Sequence, residues 1–159
     1  MSTSAFIGVV VNPQDRGRVI EPSLELFNKE IKSDLKKPVF NETVIGEKTE
    51  VICIYHHWDS NPSLLGETLL KEFDSYEKSI NLMGLGDASS INGSSATFYN
   101  SWRSDGEWTY KKPKQYESEQ LFEKHCDEAY IYLFKDNQWF VKKCYSNNTE
   151  WRMLTEILK

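Results

Sequence analysis

The functional groups of this sequence are densest at residues 56–59, which read His-His-Trp-Asp. They lie at the carboxyl end of residues 50–58, a β-branched and aromatic run that predicts a central strand, and they precede Pro62, where a helix is predicted to begin. Because alternate strand residues face opposite sides, His57 and Asp59 are expected to share a face. Such a pair can do acid–base work or hold a cation. The stronger alternative is a hydrogen-bonded turn that caps the helix, since buried polar groups always need partners.

Other candidate binding side chains lie in the polar middle of the chain. With His57, Trp58 and Asp59 they form the predicted ligand-binding set: Asp87, Ser89, Ser90, Trp102, Arg103 and Asp105. Tryptophan rings beside a guanidinium can stack a nucleobase and meet its phosphate, although a ring taken singly more often fills a core. Either serine could be a nucleophile with His57 as base. Nothing in the spacing requires it, so no catalytic residue is predicted.

Sequence signatures of the common catalytic and cofactor sites are missing. The chain has no GxSxG, GxxxxGK[ST], HExxH or strand-linked GxGxxG motif. Its three cysteines, at 53, 126 and 144, lack the close spacing of a zinc site and read as reduced thiols. We therefore predict neither metal nor cofactor.

Charge and hydropathy narrow the class of partner. With 19 Lys and Arg against 24 Asp and Glu, the formal charge of -5 disfavours a general nucleic-acid binder. The amino-terminal residues lack a signal-peptide pattern, and no apolar run is long enough to cross a bilayer. The sequence predicts a cytoplasmic protein without membrane contact.

The pattern of elements predicts one domain over residues 1–159. Its fold class is α+β, a single layer of mostly antiparallel sheet packed by helices. The predicted elements are strands at 5–11 and 50–58, helices at 21–37, 62–73, 75–83 and 118–126, a helix-breaking turn at 84–90 followed by a mobile stretch to residue 95, hairpins at 97–110 and 129–145, and a closing helix capped by Thr149. In the helix at 62–73, the residues expected to face inward are Leu64, Leu65, Leu69 and Phe73.

Several segments of this chain match, in order, motifs of a family of small bacteriophage and prophage proteins. The family's Tyr-x-His-Trp-Asp-Gly-Tyr-Pro is matched by Tyr55, His57, Trp58, Asp59 and Pro62, with Ser60 and Asn61 departing from Gly-Tyr. Its Leu-Gly-Asp-x-Ser-Ser-Leu resembles residues 85–91. Its Tyr-x-Arg-Asp-x-Gly-Glu resembles residues 102–107, with Ser104 inserted or shifted, and its Glu-Tyr-x-Tyr-Leu-Phe hairpin ending in Trp-Tyr-Val resembles residues 130–141. The chain is similar to this family over residues 50–143 and at its opening strand.

The resemblance implies a phage accessory protein that disarms host defence in the host cell cytoplasm. We expect it to act by binding, either sequestering a nucleotide immune signal or blocking a host defence protein, and a homo-oligomer stays open. The alternative is a nucleotide or phosphoester hydrolase that uses His57 and Asp59. Recovery of an intact ligand after denaturation would favour binding, and accumulation of product would favour the enzyme.

Overall fold

A central sheet and the helices beside it organise the residues that the computed structural model describes, which are 3–21, 41–92, 95–98, 111–126, 128–144 and 150–158. The strands are β1 (Ala5–Val10), β2 (Val19–Ile20), β3 (Thr43–Val44), β4 (Val51–His56), β5 (Ala88–Asn92), β6 (Ser95–Phe98), β7 (Lys114–Tyr116), β8 (Tyr130–Lys135), β9 (Gln138–Lys143) and β10 (Arg152–Met153). The helices are α1 (Glu67–Glu72), α2 (Tyr76–Gly84), α3 (Glu119–His125) and α4 (Leu154–Ile157). Single turns at Pro13–Asp15 and Pro62–Gly66 complete the described elements.

The main sheet has the strand order β10-β9-β8-β1-β4-β5-β6, and β7 also pairs with β4. β1 runs parallel to β8, and β4 runs parallel to β5; the other neighbours in this sheet are antiparallel. Strands β2 and β3 form a separate small pair. The predicted α+β class with a mostly antiparallel sheet is confirmed, and so is the central place of β4.

Apolar side chains alternate along the central strands and build a core on each face of the sheet. Ile7 and Ile54 belong to the larger core, which also takes up Leu65, Leu69 and Phe73 from the first predicted helix. Phe6 and Cys53 face the other way, into a smaller core closed by Phe122 of α3. Each strand residue between Val51 and Ile54 therefore serves one core or the other.

Local capping signals place most helices where the sequence predicts them. The Ser75 hydroxyl accepts a hydrogen bond from the Lys78 amide (3.2 Å) at the start of α2, and Ser118 does the same for the Leu121 amide (3.1 Å) in α3. Gly86, at φ 79°, ends the turn after α2 in a conformation that glycine adopts readily. The hairpin of β8 and β9 is also confirmed.

Three sequence predictions about elements are wrong. Residues 88–92, expected to lie in a turn and a mobile stretch, form β5, which pairs with β6. Leu64, expected to face inward, is 44% exposed because the first turn projects it outward. The closing helix starts at Leu154 with Met153 as its N-cap, so Thr149 does not cap it, and Trp151, which precedes the helix, packs against the smaller core.

Two further predictions fall outside the described residues. These are the helix at 21–37 beyond residue 21 and the hairpin beyond residue 98.

Candidate functional site

The side chain of His56, the last residue of β4, makes its hydrogen bonds within the fold. Its side chain is fully buried; Nε2 accepts a hydrogen bond from the Ile91 amide (2.9 Å), and Nδ1 lies 2.7 Å from the Ser60 hydroxyl. Because Nε2 accepts, the proton of the neutral ring sits on Nδ1 and is donated to Ser60. Burial, reinforced by the neighbouring His57, lowers the pKa of His56 to about 3. This histidine is a structural bridge between β4 and β5.

The turn after β4 separates His57 from Asp59. The strand ends at His56, so strict alternation does not reach Asp59, which is exposed and adopts a left-handed φ of 57°. Among the described residues, the Asp59 carboxylate has no hydrogen bond to His57. Ser60 is buried against His56. The predicted pairing of His57 with Asp59 is therefore replaced by other partners.

His57 instead joins an aromatic neighbourhood. Its Nδ1 lies 2.7 Å from the Tyr55 hydroxyl, and its ring meets the Trp58 ring edge-on with centroids 4.7 Å apart. The backbone amides of His57 and Trp58 donate to the carbonyls of Ala88 and Ser89 (3.1 and 2.9 Å), which fixes this segment along β5. Trp58 remains 48% exposed. The geometry thus holds an accessible indole on a fixed backbone.

Asp87 fills a gap between two strands that share one edge of β4. β7 pairs with β4 as far as Cys53, and β5 pairs with it only at His56. The Tyr55 amide falls between them and donates to Asp87 Oδ1 (2.8 Å). Burial raises the pKa of Asp87, against the opposing effect of that bond and of Lys114 and Lys111. One oxygen of the Asp87 carboxylate thus stabilises the fold by accepting a hydrogen bond from the Tyr55 amide.

Asp87 also lines an open groove of about 870 Å³, here called the basic groove. Its charged lining residues are Glu42, Asp87, Lys111, Lys112 and Lys114. The three lysines and Glu42 are exposed, whereas Asp87 is half-buried and already holds a backbone amide. Exposed cations therefore outnumber exposed carboxylates in the lining of the groove, three to one.

A row of ring contacts, here called the aromatic strip, joins this groove to Trp58. Lys114 Nζ lies 5.4 Å from the centroid of the Phe6 ring, within the range of a cation–π contact. The Phe6 ring packs edge-on against Tyr55 (5.5 Å), Tyr55 lies 5.8 Å from His57, and His57 contacts Trp58. Because Phe6 is a buried member of the smaller core, the strip connects Trp58 to the groove through packed rings, and only its two ends, Trp58 and Lys114, are exposed.

The remaining predicted site residues contribute less or lie elsewhere. Ser89 is buried and Ser90 half-buried in β5, and neither hydroxyl bonds His57 in the described part of the chain. Trp102, Arg103 and Asp105 lie outside the described residues. Of the predicted set, the structure brings together His57, Trp58 and Asp87.

Sequence reasoning missed three contributors, Phe6, Tyr55 and Lys114. Alternation along a strand could have placed Tyr55 beside His57, since residues two apart share a face. Phe6 and Lys114 reach the site through pairing with β4, where Phe6 opposes Tyr55 and Lys114 opposes Cys53. No local pattern encodes that register, so they could not have been found.

The described ranges contain no cluster of three or more His, Cys, Asp or Glu side chains placed to hold a metal ion. Nor do they contain a helix with the length and apolarity that crossing a membrane requires.

Comparison of the chain with protein families, with curated proteins and with solved structures finds no match.

Proposed function

We propose that this protein binds a nucleotide and holds it without transforming it. In this proposal the base stacks on Trp58, and the phosphate lies toward Lys111, Lys112 and Lys114 in the basic groove. Stacking tolerates many bases because each has a π-face, and lysine holds phosphate as a point charge. The expected ligand is therefore a planar anion of the nucleotide class.

The observation that carries the proposal is the continuity of the aromatic strip. Trp58 is among the few large apolar side chains left exposed in the described residues, and its ring contacts the ring of His57, which in turn contacts Tyr55. The opposite end of the strip contacts Lys114, which lines the groove. Isolated exposed rings are common on protein surfaces, but a ring linked to a cationic groove matches both halves of a nucleotide.

The motif resemblance to phage proteins suggests the setting of this binding. We propose that the ligand is a nucleotide immune signal of the host, which the protein sequesters in the host cytoplasm. A host defence protein seated on the same surface is the other form of inhibition, and it would need no free nucleotide.

Hydrolysis is supported less well by the geometry. The phosphoesterase alternative needs the Asp59 carboxylate to orient His57, but the Tyr55 hydroxyl lies against Nδ1 instead. The backbone of Asp59 is left-handed, and its side chain is exposed to solvent rather than in contact with the His57 imidazole. Binding requires only the surface that is present.

Calorimetric titration tests the proposal with a panel of AMP, ATP, cyclic AMP and cyclic di-AMP. Base–aromatic stacking is worth roughly 1–3 kcal/mol, so Trp58→Ala should weaken binding of any ligand found by about tenfold or more. The matched control is Leu64→Ala, because Leu64 is a comparably exposed apolar residue (44% against 48%) that does not line the basic groove. Equal affinity in the two variants would contradict the proposal.

Recovery of the bound nucleotide separates binding from catalysis. After hours with excess ligand, the protein is denatured and the nucleotide analysed by mass spectrometry. Intact ligand at the binding stoichiometry is the expected result. Accumulation of product beyond one equivalent would favour the phosphoesterase.

A further inference from the structure

A cleft of about 280 Å³ lies at the edge of the larger core, on the face of the sheet away from α3. Its apolar lining is Pro62, Val141 and Ile157. Cavities for drug-sized ligands span about 300–1,000 Å³, so a small molecule would fill this one. None of its lining residues belongs to the basic groove or to the aromatic strip. A ligand in the cleft would therefore be independent of the proposed nucleotide binding.

The register of the strands gathers polar side chains around Val141. Arg152 of β10 pairs directly with Val141 of β9, and Lys143 follows Val141 by two residues. Side chains two apart on a strand, and those directly opposed on neighbouring strands, share a face of the sheet. Both cations therefore line the cleft beside Val141, and Tyr130, which pairs with Lys143, lines it too.

The two cations of the cleft form no ion pair with a described carboxylate. Lys142, by contrast, points to the opposite face, where its amine lies 3.6 Å from the Glu123 carboxylate. Glu150 also lines the cleft, but it is exposed and pairs with neither cation. The lining thus carries two positive charges against one negative charge. Because Lys143 and Arg152 repel each other, an anion between them would be stabilising.

The wall of the cleft beside α4 is preformed by close packing. Leu154, the first residue of α4, is fully buried against the backbone of Gly66, where an added Cβ atom would lie 2.9 Å from Leu154 Cδ1. This contact holds α4, and with it Ile157, beside the turn that begins at Pro62. A preformed cleft binds a ligand at a lower entropic cost than a surface that must first be ordered.

We propose that this cleft binds a small organic anion with one phosphate or carboxylate head group and an apolar body. Arg152 and Lys143 hold the head group, because a guanidinium binds such groups through paired N–H donors and an ammonium binds them as a point charge. Tyr130 lines the same cleft, and its hydroxyl is a further donor to the head group. The apolar body packs on Val141 and Ile157.

Methyl ¹H–¹³C correlation spectra show where a ligand binds. Titration with phenyl phosphate should shift the Ile157 signal, which the spectrum of Ile157→Val identifies. Val44, which is 56% exposed and lines the basic groove, reports separately on binding there. An Ile157 signal that does not move, with or without a shift at Val44, would overturn the proposal. Failure of nucleotides to bind would overturn the proposed function alone.

The Ile157 signal also measures what each half of the ligand contributes. Benzyl alcohol lacks the anion and inorganic phosphate lacks the apolar body, so each should bind about tenfold more weakly than phenyl phosphate. Equal affinity of either fragment and phenyl phosphate would overturn the proposal. Benzoate then assigns the head group. Tighter binding of benzoate than of phenyl phosphate indicates a carboxylate, weaker binding indicates a phosphate, and both results agree with the proposal.

Three charge variants test the residues of the cleft. Arg152→Gln and Lys143→Gln should each weaken phenyl phosphate binding about tenfold. Glu150→Gln should strengthen it about threefold, because a like charge is removed. The matched control is Lys112→Gln, which makes the same change of charge at an exposed lysine of the basic groove. The affinity read at Ile157 should not change in this control, and equal weakening by Lys112→Gln and Lys143→Gln would overturn the proposal.

Discussion

Two adjacent histidines have opposite roles at the end of β4. His56 is fully buried, and both of its ring nitrogens have partners within the fold. His57 is half-buried and borders the exposed Trp58. The difference follows from alternation, because one ring faces the larger core and the other faces the end of the sheet. A histidine in a polar cluster is therefore a candidate ligand contact only on the face that reaches solvent.

The buried state of His56 predicts a loss of stability in acid. Its folded pKa of about 3 lies below the ordinary value of 6.5, so between these pH values the unfolded chain binds a proton that the folded protein excludes. The free energy of unfolding should then fall by about 1.4 kcal/mol per pH unit from this group alone, from pH 6 downward. Urea titrations at pH 7, 6, 5 and 4 measure that slope.

Two variants separate His56 from the other groups that titrate in acid. His56→Gln should cost about 1–3 kcal/mol at pH 7, because its hydrogen bonds are replaced imperfectly, and its acid slope should be shallower. His125→Gln, a change at an exposed ring, should keep the wild-type slope. An unchanged slope in His56→Gln would show that folded His56 does take up a proton.

The sequence predicts part of the site for a clear physical reason. Trp58 and His57 adjoin a strongly apolar strand, so their position at its end follows from local pattern. Asp87 was predicted as a ligand contact, but its hydrogen bond to the Tyr55 amide depends on two strands diverging along one edge of β4. Ser4 and Glu128 meet across 124 residues of chain. Contacts of that range depend on strand order, which no local pattern contains.

At the scale of elements, Phe122 of α3 packs directly against the backbone of Gly8, which has no side chain. A Cβ atom added to Gly8 in β1 would lie 2.9 Å from Cζ of Phe122 and 3.2 Å from Cγ1 of Val51. Phe122 is fully buried and cannot swing aside. The absence of a side chain at Gly8 is what lets the helix approach the sheet closely.

Gly8→Ala should therefore destabilise the protein, although the same change in an uncrowded strand gains about 0.5–1 kcal/mol from backbone entropy. Overpacking of this kind costs typically about 1–3 kcal/mol, which exceeds that gain. Chemical denaturation measures the difference. Phe122→Leu removes the ring atom in conflict, so it should cost less in the Gly8→Ala background than in the wild type. If the free-energy costs of Gly8→Ala and Phe122→Leu simply add, Phe122 does not pack against Gly8.

Elements were easier to predict from strong local signals than from weak ones. The helices after Ser75 and Ser118 form close to where the sequence predicts them, and each serine caps its helix. β5 begins Ala-Ser-Ser and has little apolar alternation, so its sequence resembles a loop. β5 is held as a strand because the His56 ring accepts a hydrogen bond from the Ile91 amide. The amides of His57 and Trp58 also donate hydrogen bonds to the carbonyls of β5. Tertiary contacts thus override a weak propensity.

At the scale of the whole molecule, the two cores share the central strands. Among the described residues the larger core has 24 buried members and the smaller has seven. A core of seven buries too little apolar surface to be stable alone. We therefore expect the smaller core to open only when the sheet itself unfolds.

Labelling of Cys53 can test that expectation. Cys53 lies in the smaller core on the central strand β4, is fully buried, and has its sulfur 3.8 Å from the sulfur of Cys126. Cys126→Ala with Cys144→Ala leaves Cys53 as the single thiol. Its labelling by Ellman's reagent in increasing urea should follow the loss of far-UV circular dichroism, since a thiol exposed only by global unfolding reacts in proportion to the unfolded population. Labelling well before that transition would mean that α3 detaches while the sheet persists, and the two cores would then be separate units of stability. A variant with Cys144 as the only thiol is the control, because that half-buried thiol should react without unfolding.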